Sequence, residues 1–399
     1  MRILVLDGNQ NQAVASVRSL SDAGHQVLVG EASPWSKAGW SRFCKGTFLY
    51  PNPEQDTAGF LGRVVEMVRP QSGTLVLPMT EATTLPISAQ RDRLLAEEAR
   101  LVLPDHLDVL RAFNKNEMVH LASSLGISVP KTIAVSSVED AVSAGQVLRF
   151  PVVLKPRSSV EAQCDGAVRV TGRPRYARNQ QELITHCREL LKICSHLLVQ
   201  EFVDGEGVGY FALLCHGESR AEFAHRRIRD VHPTGSGSAV RVSAEPDPEV
   251  RNASLAILKA LNWHGVAMVE FRQEPGKPPV FMEVNGRFWN SLPLACYAGA
   301  DFPAWLAELA EKGDIERKSP ARSGVTCRWL LGDCRHLIEV LRGAPAGYPR
   351  AYPNRWRTIA AVLTPKGGTY HDNFQWRDPG PEFGDWLSFM NRAFQKLRS

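Results

Sequence analysis

The first hundred residues alternate between short apolar runs and segments in which apolar residues recur at helical spacing. Residues 3–6 and 27–29 are predicted to be buried strands, and residues 13–23 between them are predicted to be a helix that ends at Gly24. Further along, the pattern predicts a helix over 60–68 and strands over 74–78 and 101–103. Strand–helix alternation is typical of a parallel sheet covered by helices, so we predict an N-terminal α/β domain over residues 1–104.

Composition excludes several classes of protein. Of the 399 residues, 44% are hydrophobic and 22% are charged, which is close to the average for globular proteins and excludes a largely disordered chain. No stretch approaches the ~18 apolar residues of a membrane helix, and the apolar run after Arg2 stops at Asp7, too early for a signal peptide. We therefore expect a cytoplasmic protein with no membrane partner.

Charge and cysteine usage exclude further partners. The 47 Lys and Arg residues exceed the 42 Asp and Glu residues by only five, and no dense basic run is present, so no nucleic-acid partner is expected. None of the eight cysteines forms a C-x-x-C pair. Reduced thiols are expected, and a structural zinc site is not.

A second unit is predicted over residues 105–311. It contains predicted helices over 116–125 and 179–193 and predicted strands over 151–156, 167–171 and 197–203. Residues 266–271 and 280–284 flank a polar turn rich in Gly and Pro, which predicts a hairpin. Residues 312–399 contain many prolines and four tryptophans, which indicates a small accessory region whose tryptophans pack inside the protein.

The strongest chemical signal lies on the predicted hairpin. Because strand side chains alternate between faces, Glu283 and Asn285 share a face, and the hairpin brings Glu270 beside them. Two carboxylates and an amide oxygen form a hard oxygen site suited to Mg²⁺ with phosphates, and Arg287 next to them can hold an anion. Taken alone, these residues are equally consistent with polar pairs on a solvated sheet face.

Two weaker signals precede the hairpin. Lys155 stands at the end of a predicted strand and before a loop that contains Gly166, where a lysine can reach phosphate oxygens, although a strand-end lysine is often merely exposed. Residues 200–207 form an apolar strand that runs into acidic residues and a glycine turn. Such a segment can bind a nucleotide through its main chain, but it can also be a plain β-turn.

In this order, the motifs resemble those of the ATP-grasp superfamily. The resemblance covers residues 114–290 and depends on Asn114-Lys115, the strand that carries Lys155, residues 200–206, Glu270 in Val-Glu-Phe, and Met-Glu-Val-Asn-Gly-Arg at 282–287. Residues 77–81 and 90–92 are similar to the carboxylate–amine ligase branch. The resemblance implies an α/β fold: an N-terminal parallel-sheet domain, an ATP-grasp module of two α+β subdomains, and a small C-terminal region.

The resemblance also implies a role for each residue that matches a motif. Arg287 and Lys155 are the implied catalytic residues, and Glu270, Glu283 and Asn285 are the implied magnesium ligands. The implied ATP-binding residues are Lys115, Lys155, Gln200, Glu201, Phe202, Val203 and Glu206. A flexible phosphate loop is implied over residues 157–166, within a lid subdomain over about 126–196, but that loop has only one glycine.

Substrate contacts are expected from an arginine-rich stretch and from the first domain. Arg226, Arg229 and Arg241 lie around a Gly/Ser turn at 234–238 and are candidates for binding a carboxylate or an acyl-phosphate. Glu81 follows a predicted strand and is a candidate partner for a substrate ammonium group, although it can equally cap the following helix.

The implied function is an ATP- and Mg²⁺-dependent ligase (Mn²⁺ is an alternative ion) that activates a small carboxylate as an acyl-phosphate and couples it to an amine. Two alternatives stay open: a thiol, hydroxyl or bicarbonate acceptor, or a non-catalytic ATP-binding module. A fused biotin carboxylase is disfavoured because no Met-Lys-Met motif is present, and a dinucleotide dehydrogenase is rejected because residues 6–12 lack G-x-G-x-x-G. The sequence identifies neither the two substrates nor the oligomeric state.

Overall fold

The computed structural model describes residues 1–157, 160–162, 168–170, 174–345, 347–364 and 367–398. The N-terminal region folds around a four-stranded sheet with strand order β3-β2-β1-β4, in which every pairing is parallel. Its elements are β1 (Arg2–Val5), α1 (Asn11–Asp22), β2 (Gln26–Glu31), β3 (Gly46–Leu49), α2 (Thr57–Val68), β4 (Leu75–Leu77), α3 (Glu81–Ala89) and α4 (Arg91–Ala96). The predicted parallel α/β domain is confirmed.

Two details of that sheet differ from the predictions. The prediction of a strand over 101–103 is wrong. The described chain there forms only an isolated parallel bridge, between Arg100 and Leu75. The fourth strand is instead β3, which contains one buried aromatic residue, Phe48, among exposed or half-buried neighbours. Its short alternation was too weak to identify it in the sequence.

A smaller antiparallel sheet follows, with strand order β5-β10-β6-β9, and β7 and β8 form a separate pair. Asn114 caps α6 by accepting hydrogen bonds from the main-chain N–H groups of Asn116 and Glu117, which fixes the position of Lys115 at the first turn. The elements are α5 (His106–Phe113), α6 (Lys115–Ser124), β5 (Thr132–Val135), α7 (Val138–Val147), β6 (Val152–Pro156), β7 (Val160–Ala162), β8 (Val168–Val170), β9 (Arg175–Ala177), α8 (Gln180–Leu190) and β10 (Leu197–Glu201).

The centre of the molecule is a seven-stranded sheet with strand order β15-β14-β11-β12-β13-β16-β17. The predicted hairpin at 266–284 is confirmed as the antiparallel pair β14–β15, and the chain enters this sheet directly from β10 through residues 202–205. The elements here are β11 (Glu206–Cys215), β12 (Glu218–His232), β13 (Ser236–Ala244), α9 (Pro248–Ala260), β14 (Gly265–Gln273), β15 (Val280–Asn285), α10 (Leu292–Tyr297) and α11 (Phe302–Lys312).

The C-terminal residues complete this sheet. β16 pairs with β13 and β17 pairs with β16, so a segment predicted to be an accessory region contributes two strands to the central layer. Trp329 is buried as predicted, but Trp356 and Trp376 are exposed, so the packing interpretation is wrong for those two. The elements are β16 (Thr326–Arg328), α12 (Leu330–Arg342), α13 (Arg355–Leu363), β17 (Tyr370–His371) and α14 (Gly380–Arg398).

The two faces of the central sheet belong to different cores. One face packs with α1, α10 and α11 against the N-terminal sheet, and the other packs against α5, α6 and α9. The small antiparallel sheet has a core of its own with α7 and α8. Among the helices that the structure describes, none combines the length and the apolar character needed to cross a bilayer.

Candidate active site

A cavity of about 290 Å³ opens where β12, β14 and β15 present polar side chains on one face of the central sheet. Four of the residues predicted from the sequence line it: Glu270, Glu283, Asn285 and Arg287. The other lining residues are His225, Arg227, Gly235, Ser236, Gly237, Ser238, Met268, Trp289, Asn290 and Ser291.

The three oxygen donors come from neighbouring strands. Glu270 of β14 stands directly opposite Glu283 of β15, and the register shifts immediately after this pair. Side chains directly opposite each other on one face of a sheet have Cβ atoms roughly 5 Å apart. Asn285, two residues beyond Glu283, donates from Nδ2 to Glu283 Oε1 at 3.4 Å. Two carboxylates and an amide oxygen therefore converge, which is a donor set that fits Mg²⁺.

Two lysines approach the carboxylate of Glu283 from other elements. The ammonium nitrogen of Lys115 lies 3.6 Å from Glu283 Oε2. Lys155 is buried near the end of β6. Burial and the like charge of Lys115 lower its pKa to about 8, although the negative charge of Glu283 acts in the opposite direction. Burial alone would raise the pKa of Glu283, but Lys115 and Lys155 hold it below its usual range. The carboxylate is therefore ionised at neutral pH.

Arg287 connects the cavity to the N-terminal region. Its guanidinium donates to Asn285 Oδ1 at 3.1 Å and lies 3.5 Å from the carboxylate of Glu81. Glu81 is the first residue of α3, and the residue before it, Thr80, makes no side-chain capping bond. The sequence placed Glu81 and Arg287 near one substrate, and the structure does bring these two side chains together.

Arg227 is the arginine of the basic stretch that lines the cavity. Its guanidinium donates to Glu270 Oε2 at 2.7 Å and lies 3.8 Å from Asp230. Although burial opposes it, the negative charge of Glu270 raises the pKa of Arg227 above its ordinary value. The sequence included Arg227 in the arginine-rich stretch but did not show which residues of that stretch face inward.

The three arginines predicted to bind substrate lie elsewhere. Among the side chains that the structure describes, the cavity lining includes none of Arg226, Arg229 and Arg241. Arg226 is exposed, Arg229 pairs with Asp333 of α12, and Arg241 pairs with Asp372 in a site where both side chains are fully buried. Two register shifts around Arg229 redirect it towards the C-terminal helices, a local irregularity that alternation alone does not reveal.

His225 and Ser291 form a second polar pair in the cavity that the sequence analysis did not assign. The Nε2 atom of His225 lies 2.8 Å from the hydroxyl of Ser291, and Phe211 covers the imidazole with ring centroids 4.8 Å apart. Burial, followed by the nearby charges of Arg227 and Arg241, holds the pKa of His225 well below its usual value. This histidine is therefore neutral at pH 7 and can exchange hydrogen bonds with a polar ligand.

The residues predicted to bind adenine and ribose lie where the chain passes from the small four-stranded sheet to the central sheet. Gln200 and Glu201 end β10, Phe202 and Val203 begin the crossing, and Glu206 starts β11 with an exposed side chain. The main-chain N–H groups of Glu201 and Phe202 donate to Lys131 and Pro151, which fixes the crossing against the small sheet. The predicted phosphate loop at 157–166 falls mostly outside the described residues.

A comparison with family models matches residues 193–332 to a family described as ATP-grasp in the biosynthetic pathway with Ter operon. The carbamoyl phosphate synthase arginine-specific large chain of Eremothecium gossypii is 22% identical over 296 residues, covering 71% of this chain. The match covers 25% of that relative, so this chain spans about a quarter of its length.

Solved structures extend the likeness to the fold of most of the chain. The biotin carboxylase domain of Hydrogenobacter thermophilus 2-oxoglutarate carboxylase, in complex with MgADP, ADP and bicarbonate, has a TM-score of 0.65 at 14% identity and covers 82% of this chain and 73% of that one. An L-amino acid ligase from Bacillus licheniformis has a TM-score of 0.57 at 16% identity and covers 79% and 75%. The match of residues 193–332 to an ATP-grasp family, together with this shared fold, supports the resemblance to the ATP-grasp superfamily and its carboxylate–amine ligase branch.

Proposed function

We propose that this protein is an ATP-dependent ligase that activates a small-molecule carboxylate as an acyl-phosphate and joins it to an amine, releasing ADP and phosphate. One observation carries the proposal: Glu270, Glu283, Asn285 and Arg287 line a single cavity, and Lys115 lies within ion-pair distance of Glu283. Phosphoryl transfer needs mainly positioning and charge neutralisation, and this group of side chains supplies both.

Mg²⁺ would be held by Glu270, Glu283 and Asn285, and it would neutralise charge on the phosphates of ATP. At present Arg227 pairs with Glu270, and Lys115 pairs with Glu283. Metal binding gives each carboxylate a new cationic partner. Lys115, which lies 3.6 Å from Glu283, would then contact phosphate oxygens.

Lys155 is proposed to bind a phosphate from the opposite side. It is buried on β6 of the small sheet, whereas the oxygen donors lie on the central sheet. A nucleotide between the two sheets would place its phosphates between Lys155 and Glu283. Its adenine would meet the main chain at 201–203, and its ribose would lie near Glu206.

The carboxylate substrate is proposed to lie beside Arg287, where the turn at 235–238 and Ser291 close the cavity. The side chain of Arg287 is 23% exposed at the cavity wall, where its guanidinium donates to Phe288 O and Asn285 Oδ1 at 3.1 Å and can also face an anion in the cavity. Glu81 is the carboxylate closest to it across the boundary with the first domain. A substrate that carries an ammonium group would therefore meet Glu81 while its carboxylate meets Arg287.

The small sheet and its helices, over residues 126–196, are proposed to act as a lid. An acyl-phosphate is hydrolysed by water, so the site must exclude bulk water while the amine attacks. Residues 202–205 are the direct connection between the lid sheet and the central sheet, and we expect closure to occur there.

Bicarbonate is the second candidate for the activated acid. The biotin carboxylase domain that shares this fold was solved with bicarbonate and MgADP. The two candidates require different acids, a small organic carboxylate in the first and bicarbonate in the second. Carboxylate preference thus separates the two candidates.

The test has two stages. Mg-ADP and Mg-ATP should raise the melting temperature while NAD leaves it unchanged, because a ligand that binds only the folded state stabilises it. A screen for phosphate release should then combine amino acids, other small carboxylates and bicarbonate with a panel of amines. Release that requires both an acid and an amine supports the ligase, and release with bicarbonate alone supports the second candidate. Adenine nucleotides that give no thermal shift at millimolar concentration would contradict both.

A further inference from the structure

Three side chains that bind transition metals meet at the far end of the central sheet from the cavity. The thiol of Cys215 and one ring nitrogen each of His216 and His264 lie within 4.8 Å of one another. His264 immediately precedes β14, and Glu270 lies six residues further along that strand. At ~3.3 Å per strand residue the two positions are separated by roughly 20 Å, so this cluster is independent of the proposed nucleotide site.

The backbone holds the three residues in place. Cys215 ends β11, and His216 with Gly217 forms a two-residue turn into β12 in which both residues have positive φ, 46° and 83°. Such turns match the twist of a hairpin and are well defined. Leu214 pairs with Gly265, and the main-chain N–H of Gly217 donates to Trp263 O at 2.7 Å. The segment between α9 and β14 is therefore fixed against the turn, and it carries His264.

The donor atoms have few other partners. The Nδ1 atom of His264 is buried and makes no hydrogen bond to any residue that the structure describes. A buried polar atom without a partner is uncommon in folded proteins and calls for a ligand or a structural reason. The Cys215 thiol lies 3.6 Å from the carbonyl of Gly313 and hydrogen-bonds with the carboxylate of Asp314, and the rings of His216 and His264 stack with their centroids 4.3 Å apart.

We propose that Cys215, His216 and His264 bind one divalent transition-metal ion of the zinc class, with water as the fourth ligand. A thiolate and two imidazoles are ligands that zinc and cobalt favour, and they are poor ligands for Mg²⁺. Donor atoms on a tetrahedral zinc ion lie roughly 3.3–3.7 Å apart, given its bond lengths. Rotation of the exposed His216 ring closes the remaining distance and opens a path for the ion.

The proposal departs from the expectation that cysteine spacing raised. No C-x-x-C pair is present, and His264 lies 48 positions after His216, so the set is formed only by the pairing of β11 with β14. A search of the sequence for metal motifs cannot find a site whose ligands come from two separate strand ends.

Cobalt provides the test, because its spectrum reports a thiolate ligand directly. The full chain, without a histidine tag and freed of metal by a chelator, would be titrated with Co²⁺ in excess Mg²⁺, which occupies oxygen ligands. We expect one Co²⁺ per chain, a thiolate-to-cobalt charge-transfer band and the visible bands of tetrahedral cobalt, all removed by Zn²⁺. A wild-type protein that shows no charge-transfer band overturns the proposal.

Variants identify the ligands. Cys215→Ser should abolish the band, and His216→Asn should weaken Co²⁺ binding at least about tenfold, because metal affinity depends on each ligand. Asparagine tolerates a positive φ, so His216→Asn keeps the turn and folds even if a substitution at buried Cys215 does not. Cys334→Ser and Glu283→Gln are the controls, and both should bind Co²⁺ as the wild type does. A band that survives Cys215→Ser, or that Glu283→Gln removes, assigns the metal to other residues and contradicts the proposal.

Discussion

Two clusters of charged residues in this protein have similar composition but different construction. The site cluster, made up of Lys115, Lys155, Glu270, Glu283, Arg227, Arg287 and Glu81, lines or borders the cavity. The clasp cluster joins the N-terminal region and the central sheet to the C-terminal segment, and consists of Arg18, Lys37, Arg241, Asp372, Asp378 and Asp385.

The two clusters differ in how far the side chains of their ion pairs are exposed to solvent. Each ion pair of the clasp cluster has both side chains at most 8% exposed, and Arg18 alone donates to the Asp378 carboxylate and to three main-chain carbonyls. The ion pairs of the site cluster are 11–32% exposed and include two long contacts, 3.6 Å at Lys115 and 3.5 Å at Arg287. The clasp cluster is therefore closed to solvent, whereas the site cluster is open to a ligand through the cavity.

The largest expected effect is on stability, in the clasp cluster. Arg241→Met leaves the carboxylate of Asp372 buried without its guanidinium, and breaking a buried pair in this way costs about 3–5 kcal/mol of unfolding free energy. Urea denaturation measures the change. The matched control is Arg69→Met, which removes an exposed pair with Glu97 and should cost far less, because water and salt screen exposed charges. Equal losses in the two variants would show that the clasp cluster does not hold the C-terminal segment.

The next effect is on catalysis, in the site cluster. Glu283→Gln keeps the shape of the strand but removes a charged oxygen, so turnover should fall by about 10²–10³, the loss typical of removing one electrostatic contact to a transition state. Unfolding free energy should change little, because the carboxylate is partly exposed. Phosphate release and urea denaturation are measured together.

The control for that variant is Glu274→Gln, a half-buried carboxylate that pairs with Lys277 in the turn of the same hairpin, and it should leave turnover unchanged. If Glu283→Gln turns over at the wild-type rate, the assignment of Glu283 to the metal is wrong.

A pH dependence provides a further test of the site cluster, through Lys155. The pKa of Lys155 is lowered to about 8, so in the free protein it is charged below pH 8 and neutral above it. ATP phosphates bind the charged form, and above pH 8 binding must also protonate the lysine. Affinity for Mg-ATP should therefore be constant below pH 8 and fall by up to about tenfold per pH unit above it.

Lys155→Arg supplies the control for the pH prediction. A guanidinium stays charged over this range, so affinity for Mg-ATP in the variant should not fall above pH 8. Calorimetric titration at a series of pH values measures both proteins. Parallel pH profiles would exclude Lys155 as the phosphate ligand.

Much of the fold and part of the site followed from local patterns. The parallel N-terminal sheet and the β14–β15 hairpin were readable because a strand or helix period repeats within a few residues. The grouping of Glu270, Glu283, Asn285 and Arg287 could be predicted for the same reason, since all four residues lie on one hairpin or directly after it.

The features that the sequence did not predict depend on contacts between residues that are far apart in the chain. Arg227 faces the cavity and Arg229 does not, because the register shifts between β12 and β13, and no feature of either strand alone encodes that shift. Arg241 looked like a substrate ligand because its partner, Asp372, lies 131 residues away in a segment that read as loops. The same distance concealed the clasp cluster, whose acids all come from the last 28 residues of the chain.

The smallest expected effect is on substrate selection, at the border between the site cluster and the first domain. Glu81 pairs with Arg287 across that border, and it also begins α3, so it can bind a substrate ammonium group or simply favour the positive end of the helix. If it binds the substrate, Glu81→Ala should raise KM for an amino-acid substrate by about tenfold, as expected for the loss of one charge-assisted hydrogen bond, with Mg-ATP binding intact. If it acts only on the helix, the same variant should lose about 0.3–1 kcal/mol of unfolding free energy with an unchanged substrate profile.

Asp92→Ala, which removes an exposed carboxylate from the first turn of α4, shows how much of any stability loss comes from a helix end alone. Steady-state kinetics over the acids found in the phosphate-release screen, together with urea denaturation, decide between the two roles, and a KM that stays constant for every acid would contradict the placement of substrate against the first domain.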